Sequence, residues 1–326
     1  MSMGNGMEAT DERDRIFALV GLACDADRLG LRPDYSIEGC APLFTNVARA
    51  LIRENGRLDV LLWSQFPKAS YPRLKTPLPS WVPDWRPGLA PSYVPEAANC
   101  ADRCVPFSAS KGSSPIFEDA TDKRILGLKG LKVCTIEKVG DECKKDGGVT
   151  ALAQPLNAIA AFCDESAALN HGIYASPMRR KEAAWRVPIG DLYRLPTAKY
   201  VRVDSSTHPV DDQHAAALTL SKIWAGKEAP EFDADTLDKG VDYLQLMSVM
   251  KGKAPFLSRR GYVGMGPPKM AAGDVIVIFS GAHIPHILRR SVNRNNHWEY
   301  VGEAYCDGVM DGEAWDESKR VTFFLV

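Results

Sequence analysis

The run from Pro255 to Ala314 constrains the fold more than any other stretch, because turn residues cut it into short apolar segments. Ala272-Gly273-Asp274 makes a tight turn ahead of Val275 to Phe279, and two more runs, Ile284 to Leu288 and Glu299 to Tyr305, each follow turn signals. Upstream, Gly261, Gly264 and Gly266 with Pro267-Pro268 read as a turn-rich entry. The segments are too short for helices, so the spacing predicts a small antiparallel meander or partly closed barrel.

The rest of the chain reads mainly as helix. Thr10 is placed to cap a helix from Asp11 to Cys24, with Asp11 and Glu12 in its first turn and Ile16, Phe17, Leu19, Val20 and Ala23 on its apolar face. Ser36 is placed to cap a second, with Leu43, Phe44, Val47, Ala50 and Leu51 at helical spacing and Gly56 as its stop. Asp59 to Trp63 reads as a short strand. The stretch from Pro72 through Pro95 holds seven prolines, which exclude a regular helix or central strand, yet Trp81, Val82, Trp85 and Tyr93 are too apolar for a free linker. An ordered loop is expected there.

Lys123 to Val139 alternates as one long strand or two short ones, and Thr150 to Leu169 is an Ala-rich helix interrupted at Pro155 unless that residue lies in its first turn. Asp211-Asp212 starts a helix through Trp224, and Asp235 or Thr236 starts another through Met250. The order is not βαβ, so no Rossmann sheet is expected. The class predicted is α+β: helical N-terminal and middle segments on a β meander or small barrel formed largely by the C-terminal region. We expect residues 1–326 to form a single compact unit, with a helical and Pro/Trp-rich segment at 1–95, a mixed one at 96–253 and a β-rich one at 254–326.

Composition removes several function classes. At 326 residues, 45% hydrophobic and 25% charged, the chain has material for a large core. Forty basic against 41 acidic residues leave a net charge of −1 and no electrostatic case for nucleic acid. No apolar run approaches the ~20 residues of a membrane span, and the N-terminus lacks the cationic start and apolar stretch of a secretory signal. A cytoplasmic location is expected. The eight cysteines read as free thiols in or near the core; Cys100 and Cys104 form the only close pair, without a second pair at zinc spacing.

The order ATDERDRIFALVGLA, LRPDYS, a helix ending ARALI, RLDVLLW and LPSWVPDW resembles the region that follows the signature domain in fungal heterokaryon-incompatibility (HET) family proteins. The C-terminal GYVGMGPPKMAAGDVIVIFSGAHIPHILRR and YVGEAYCDGVMDGEA look like the end of the same proteins. The likeness covers roughly the first ninety and last seventy residues, and it implies a filamentous-fungal origin. The family's N-terminal signalling module would precede ATDERDR, so with Met1 as the start this would be a standalone version of the accessory region. A few such standalone proteins are associated with fungal natural-product pathways, among them norbornene-forming Diels–Alderases. The resemblance therefore implies a cofactor-independent intramolecular cyclase acting on a terpenoid or polyketide. Its alternative is a HET-related interaction or incompatibility protein without enzymatic activity.

The residues themselves carry no complete catalytic motif. The glycines at 261, 264 and 266 precede Pro-Pro and not a helix N-terminus, so they lack the basis for phosphate binding. His283 and His286 would fall on opposite faces of a strand, and His208 and His214 read as exposed loop and cap residues, so no metal site is expected. A cycloaddition needs no cofactor, nucleophile or metal, only a flexible substrate held near attack distance and a hydrogen-bond donor on a conjugated carbonyl. His286, standing where the resemblance implies an apolar residue, and Tyr305 are the candidate donors; the ordinary reading of His286 is a satisfied core histidine. Trp81 and Trp85 are candidate walls of an apolar pocket, with core packing the equal reading. Arg289 is the candidate partner of a substrate carboxylate and Glu303 a further binding residue, against which stand ordinary salt bridges and turn caps. The partner expected is a small hydrophobic substrate.

Overall fold

The computed structural model describes residues 9–23, 26–27, 29–36, 39–68, 77–86, 89, 92–93, 106–144, 148–169, 173–174, 176–197, 199–204, 206, 208–224 and 233–326. Among the described residues the helices are α1 (Asp14–Val20), α2 (Cys40–Asn55), α3 (Gly148–Ala168), α4 (Pro177–Arg186), α5 (Val210–Trp224) and α6 (Ala234–Leu246). The strands are β1 (Phe117–Glu118), β2 (Leu126–Val139), β3 (Leu192–Arg194), β4 (Tyr200–Arg202), β5 (Ala254–Ser258), β6 (Val263–Gly266), β7 (Val275–Phe279), β8 (His286–Arg290), β9 (His297–Glu303), β10 (Tyr305–Cys306) and β11 (Val321–Leu325). The class is α+β.

Strand order runs β10-β6-β5-β2-β11-β9-β8-β7, and β7 also pairs with β2, so β2, β11, β9, β8 and β7 close a ring. The C-terminal region does not build this barrel alone. The 14-residue β2, from the middle of the chain, is shared by the ring and by the outer strands β5, β6 and β10. It pairs with β11 through Leu126–Gly130 and with β5 from Ile136 to Val139, and register shifts at Lys132/Cys134 and Ile136/Lys138 let it bend from one sheet into the other. The barrel is also not wholly antiparallel, because β11 runs parallel to β9. Alternation of side chains fixes which face is buried but not the direction of the neighbour, so that pairing has no signature in the sequence.

Phe279 of β7 meets Phe323 of β11 edge-to-face with centroids 6.0 Å apart, although the two strands do not pair, so the rings touch across the barrel. Leu126, Leu128, Val277, Leu288 and Tyr300 share this cluster with Phe44, Val47 and Ala48 of α2 and with Trp81. A second cluster joins α3, α5 and α6 to β5 and β6.

Local chemistry accounts for the other departures from expectation. Thr10 does not cap α1; the Asp11 carboxylate accepts from the Arg13 backbone N–H at 3.0 Å, a turn that competes with helix, and α1 starts at Asp14 and ends at Val20. Helix α2 begins after Gly39 and not Ser36, and ends at Gly56 in the left-handed conformation as the sequence predicts. Asp59–Trp63 is a 3₁₀ turn with Leu61 buried, not a strand. Pro155 lies well inside α3, which continues because Leu156, Ile159 and Cys163 bury one face beyond it. Gly264 and Gly266 lie in β6 and not in a turn; a Cβ on Gly264 would stand 2.2 Å from the Tyr305 carbonyl oxygen, so glycine is what lets β10 pair this closely. His214 is buried on α5, with its ring centroid 5.2 Å from that of Tyr243, and is not an exposed cap.

Candidate functional site

A cleft of about 420 Å³ opens at the mouth of the barrel, where β2 starts, β11 ends and the β8–β9 loop turns. One wall is Phe66, Pro67 and Lys68 with Pro77, Leu78 and Pro79 from the Pro-rich segment. Asp122, Arg124 and Ile125 ahead of β2, and Ser291, Asn293 and Arg294 from the β8–β9 loop, also line the cleft; Ser80, Glu299 and Val326 complete the lining. Barrel mouths with apolar walls and a few converging polar groups are ordinary sites for small ligands.

The Pro-rich wall is fixed to the barrel by specific bonds. The Ser80 backbone N–H donates to the Val326 carbonyl at 2.9 Å, and its hydroxyl oxygen accepts from the Tyr300 N–H at 2.8 Å. Ser64 donates to the Trp81 carbonyl at 2.7 Å, and Gln65 exchanges hydrogen bonds with the Asp84 backbone at 2.9 and 3.1 Å. Behind this frame Asp84 and Arg86 form a buried ion pair at 2.6 Å.

Charge in the cleft is unevenly neutralised. Asp122 receives Arg124 at 2.9 Å and Arg294 at 3.2 Å, and the bond from Arg124 is the main reason its carboxyl titrates well below the usual range. Lys68 is half-buried and donates from Nζ to the Val82 carbonyl, not to a carboxylate. Burial pulls its pKa down to about 7; Asp84 opposes the shift and Arg86 adds to it. Lys68, with an amine partly neutral near neutral pH, is therefore one of the residues lining a cleft whose surface is mainly apolar.

None of the six residues singled out from the sequence lines this cleft. His286 sits in the barrel interior, 1% exposed, with Nδ1 3.0 Å from the Tyr300 hydroxyl, and burial pulls its pKa down to about 3. Tyr305 is buried and donates to Asp307 at 3.2 Å; burial raises its pKa well above the ordinary phenol value. Trp81 is fully buried behind the cleft, its indole N–H donating at 2.8 Å to the carbonyl of Arg124. Trp85 meets Phe44 edge-to-face at 5.1 Å in the core. Arg289 pairs with Asp274 at 2.8 Å and lies over the Phe66 ring, backing a cleft wall from outside. Glu303 is buried and accepts from Ser92, the Tyr93 N–H and Lys253.

The Pro-rich loop singled out in the sequence contributes Pro77, Leu78 and Pro79 to the cleft, whereas its Trp81 and Trp85 are buried outside the lining. Lys68 was missed because a single lysine beside a proline has no motif; its signal was its place between Phe66-Pro67 and the Trp-rich stretch. Among the described residues there is no cluster of three His, Cys, Asp or Glu able to hold a metal ion. Cys40, Cys134, Cys143, Cys163 and Cys306 are buried free thiols, whereas the Cys100 and Cys104 pair lies outside the described residues.

Comparison with known proteins places this barrel. Residues 123–216 and 212–326 match the Het-6 β-barrel domain. The chain belongs to the Het-6 β-barrel domain family. The match runs through the middle of the chain, which the family-like sequence motifs did not cover, as the shared strand β2 requires. Heterokaryon incompatibility protein 6, OR allele, of Neurospora crassa is 32% identical over 359 aligned positions, covering 97% of this chain and 51% of that relative. The chain thus spans about half the length of the curated relative it matches. No solved structure matches the Het-6 barrel chain. No described helix is long and apolar enough to cross a membrane.

Proposed function

We propose that this Het-6 barrel protein is a cofactor-independent intramolecular cyclase of Diels–Alderase type, acting in the cytoplasm on a terpenoid or polyketide intermediate of fungal secondary metabolism. The observation that carries the proposal is the cleft of about 420 Å³ walled by Phe66, Pro67, Pro77, Leu78, Pro79 and Ile125. Such walls fold a flexible apolar chain and hold its reacting ends together, and that entropic restraint is the main demand of the reaction. Arg124 and Arg294 provide donors at the rim for a developing negative oxygen. The proposal gives this task to cleft residues and leaves His286 and Tyr305 as supports of the barrel.

A second reading is favoured by a different observation, the 32% identity to a heterokaryon incompatibility protein across 97% of this chain. In it the protein is an interaction module of the incompatibility response, without catalysis. Deleting the gene in its native fungus and comparing metabolites by accurate mass separates the two. The cyclase reading predicts loss of one compound and accumulation of an isomer of identical mass. An unchanged metabolite profile with altered fusion or cell death between strains would replace it with the incompatibility reading.

A further inference from the structure

We propose that Lys68 captures an apolar aldehyde in the barrel-mouth cleft as a Schiff base, which makes α,β-unsaturated aldehydes the substrate class the site is built to activate. The inference deepens the cyclase reading and rests on the cleft assigned there.

Three observations converge on this side chain. First, Lys68 lines the cleft beside Phe66, Pro67 and Leu78, so a molecule bound against those walls lies next to it. Secondly, its charge has no counter-ion of its own. Arg124 and Arg294 share Asp122, and Asp84 is engaged with Arg86, which leaves Lys68 bonded to a backbone carbonyl and, among the described residues, to no carboxylate. Thirdly, burial disfavours its ammonium form, so the nucleophilic amine is populated near neutral pH.

The chemistry balances without an oxidant or a metal. The Nζ lone pair attacks the aldehyde carbon, a C–N bond forms and the C=O π pair moves to oxygen. Transfer of a proton from nitrogen to that oxygen gives a carbinolamine. Loss of water then breaks the C–O bond and leaves C=N, and both amine hydrogens depart in the water. Protonation of the imine makes it a stronger electron sink than the parent carbonyl, so an adjacent C=C becomes a better dienophile. The apolar walls from Phe66, Pro67, Leu78 and Ile125 favour the dehydrated form, and Arg124 lines the same cleft as a donor toward the departing oxygen.

The test treats the full chain with citral, an apolar unsaturated aldehyde, and sodium cyanoborohydride, which fixes an imine as a secondary amine, and then locates the adduct by peptide mass spectrometry. Lys68 is expected to label at least about tenfold faster than exposed lysines at pH 7.4, since their amines are only about one part in a thousand neutral there. Its rate should level off above pH ~7 while theirs keep rising. Asn293→Trp, a change at an exposed loop position, should slow citral labelling at Lys68 but leave formaldehyde labelling unchanged, because only the larger probe needs the cleft. Labelling of Lys68 no faster than surface lysines would overturn the proposal, as would equal effects of Asn293→Trp on both probes. The citral experiment reads imine formation at Lys68 directly, so its outcome is independent of the metabolite comparison. Absent labelling beside intact isomer conversion removes the Schiff base alone.

Discussion

Replacing Asp191 with alanine is expected to lower the free energy of unfolding by about 3–5 kcal/mol, the usual cost of stranding buried charge. The Asp191 side chain is fully enclosed and accepts from both Arg186, at the end of α4, and Arg202, on β4. Arg202 continues to Asp311 at 2.7 Å, and Arg186 also binds Glu182, so one carboxylate joins a helix end, the β3–β4 hairpin and the loop after β10. Deleting it leaves two partly buried guanidinium groups, each short of one partner, beside a gap. The backbone adds to the cost, because Asp191 has φ 59°, a conformation that Asp and Asn tolerate better than Ala. Asp191→Asn keeps that conformational preference while losing the charge, so its midpoint in urea should fall between those of wild type and Asp191→Ala. Equal midpoints for wild type and Asp191→Ala would show that the network contributes no net stability.

Acid should destabilise the protein through two buried histidines. Burial holds His286 down to about 3 and His214 down to about 4, against ~6.5 in an unfolded chain. For His214, Asp211 opposes the shift and Lys181 adds to it; for His286, burial is the cause. As pH falls below ~6.5 the unfolded state binds protons that the folded state refuses. The stability each neutral ring carries is therefore complete above that pH and is lost on the way down to its folded pKa. Between pH 6.5 and 4.5 the loss is about 2.5 kcal/mol per ring. His286→Phe fills the same aromatic site beside Phe279 but leaves the Tyr300 hydroxyl without its partner, which costs about 1–3 kcal/mol at pH 7. The variant should start weaker and gain about 2.5 kcal/mol on wild type by pH 4.5, so the two stability curves approach or cross. Parallel curves from urea unfolding across this range would mean that His286 titrates normally in the folded protein.

Much of the fold was legible because local chemistry and burial agree. The alternation in β2 and β7, the Gly56 stop and the acidic starts of α5 and α6 each report a backbone state directly. What failed depended on distant partners. The Gly264 stretch is strand because of what Tyr305 places against it, and α3 runs past Pro155 because its far turns are buried. The parallel insertion of β11 beside β9 was equally invisible. The site followed the same rule. His286 drew notice as a polar residue in an apolar run, which marks burial as often as function, and the structure gives it a hydrogen-bonded place inside the barrel. Lys68 became a candidate only when folding brought it into one cleft with Leu78, Arg124 and Asn293.

The most direct test of the cleft as a cyclase site is to incubate purified protein, without added cofactor, with the metabolite extract of the deletion strain. The account predicts that one accumulated compound is converted into an isomer of identical mass. Asn293→Trp, which narrows the cleft from an exposed loop position, should slow that conversion at least about tenfold, the effect of ~1.4 kcal/mol on the barrier. An extract that passes through unchanged, or a conversion that proceeds equally well with the narrowed cleft, would contradict it.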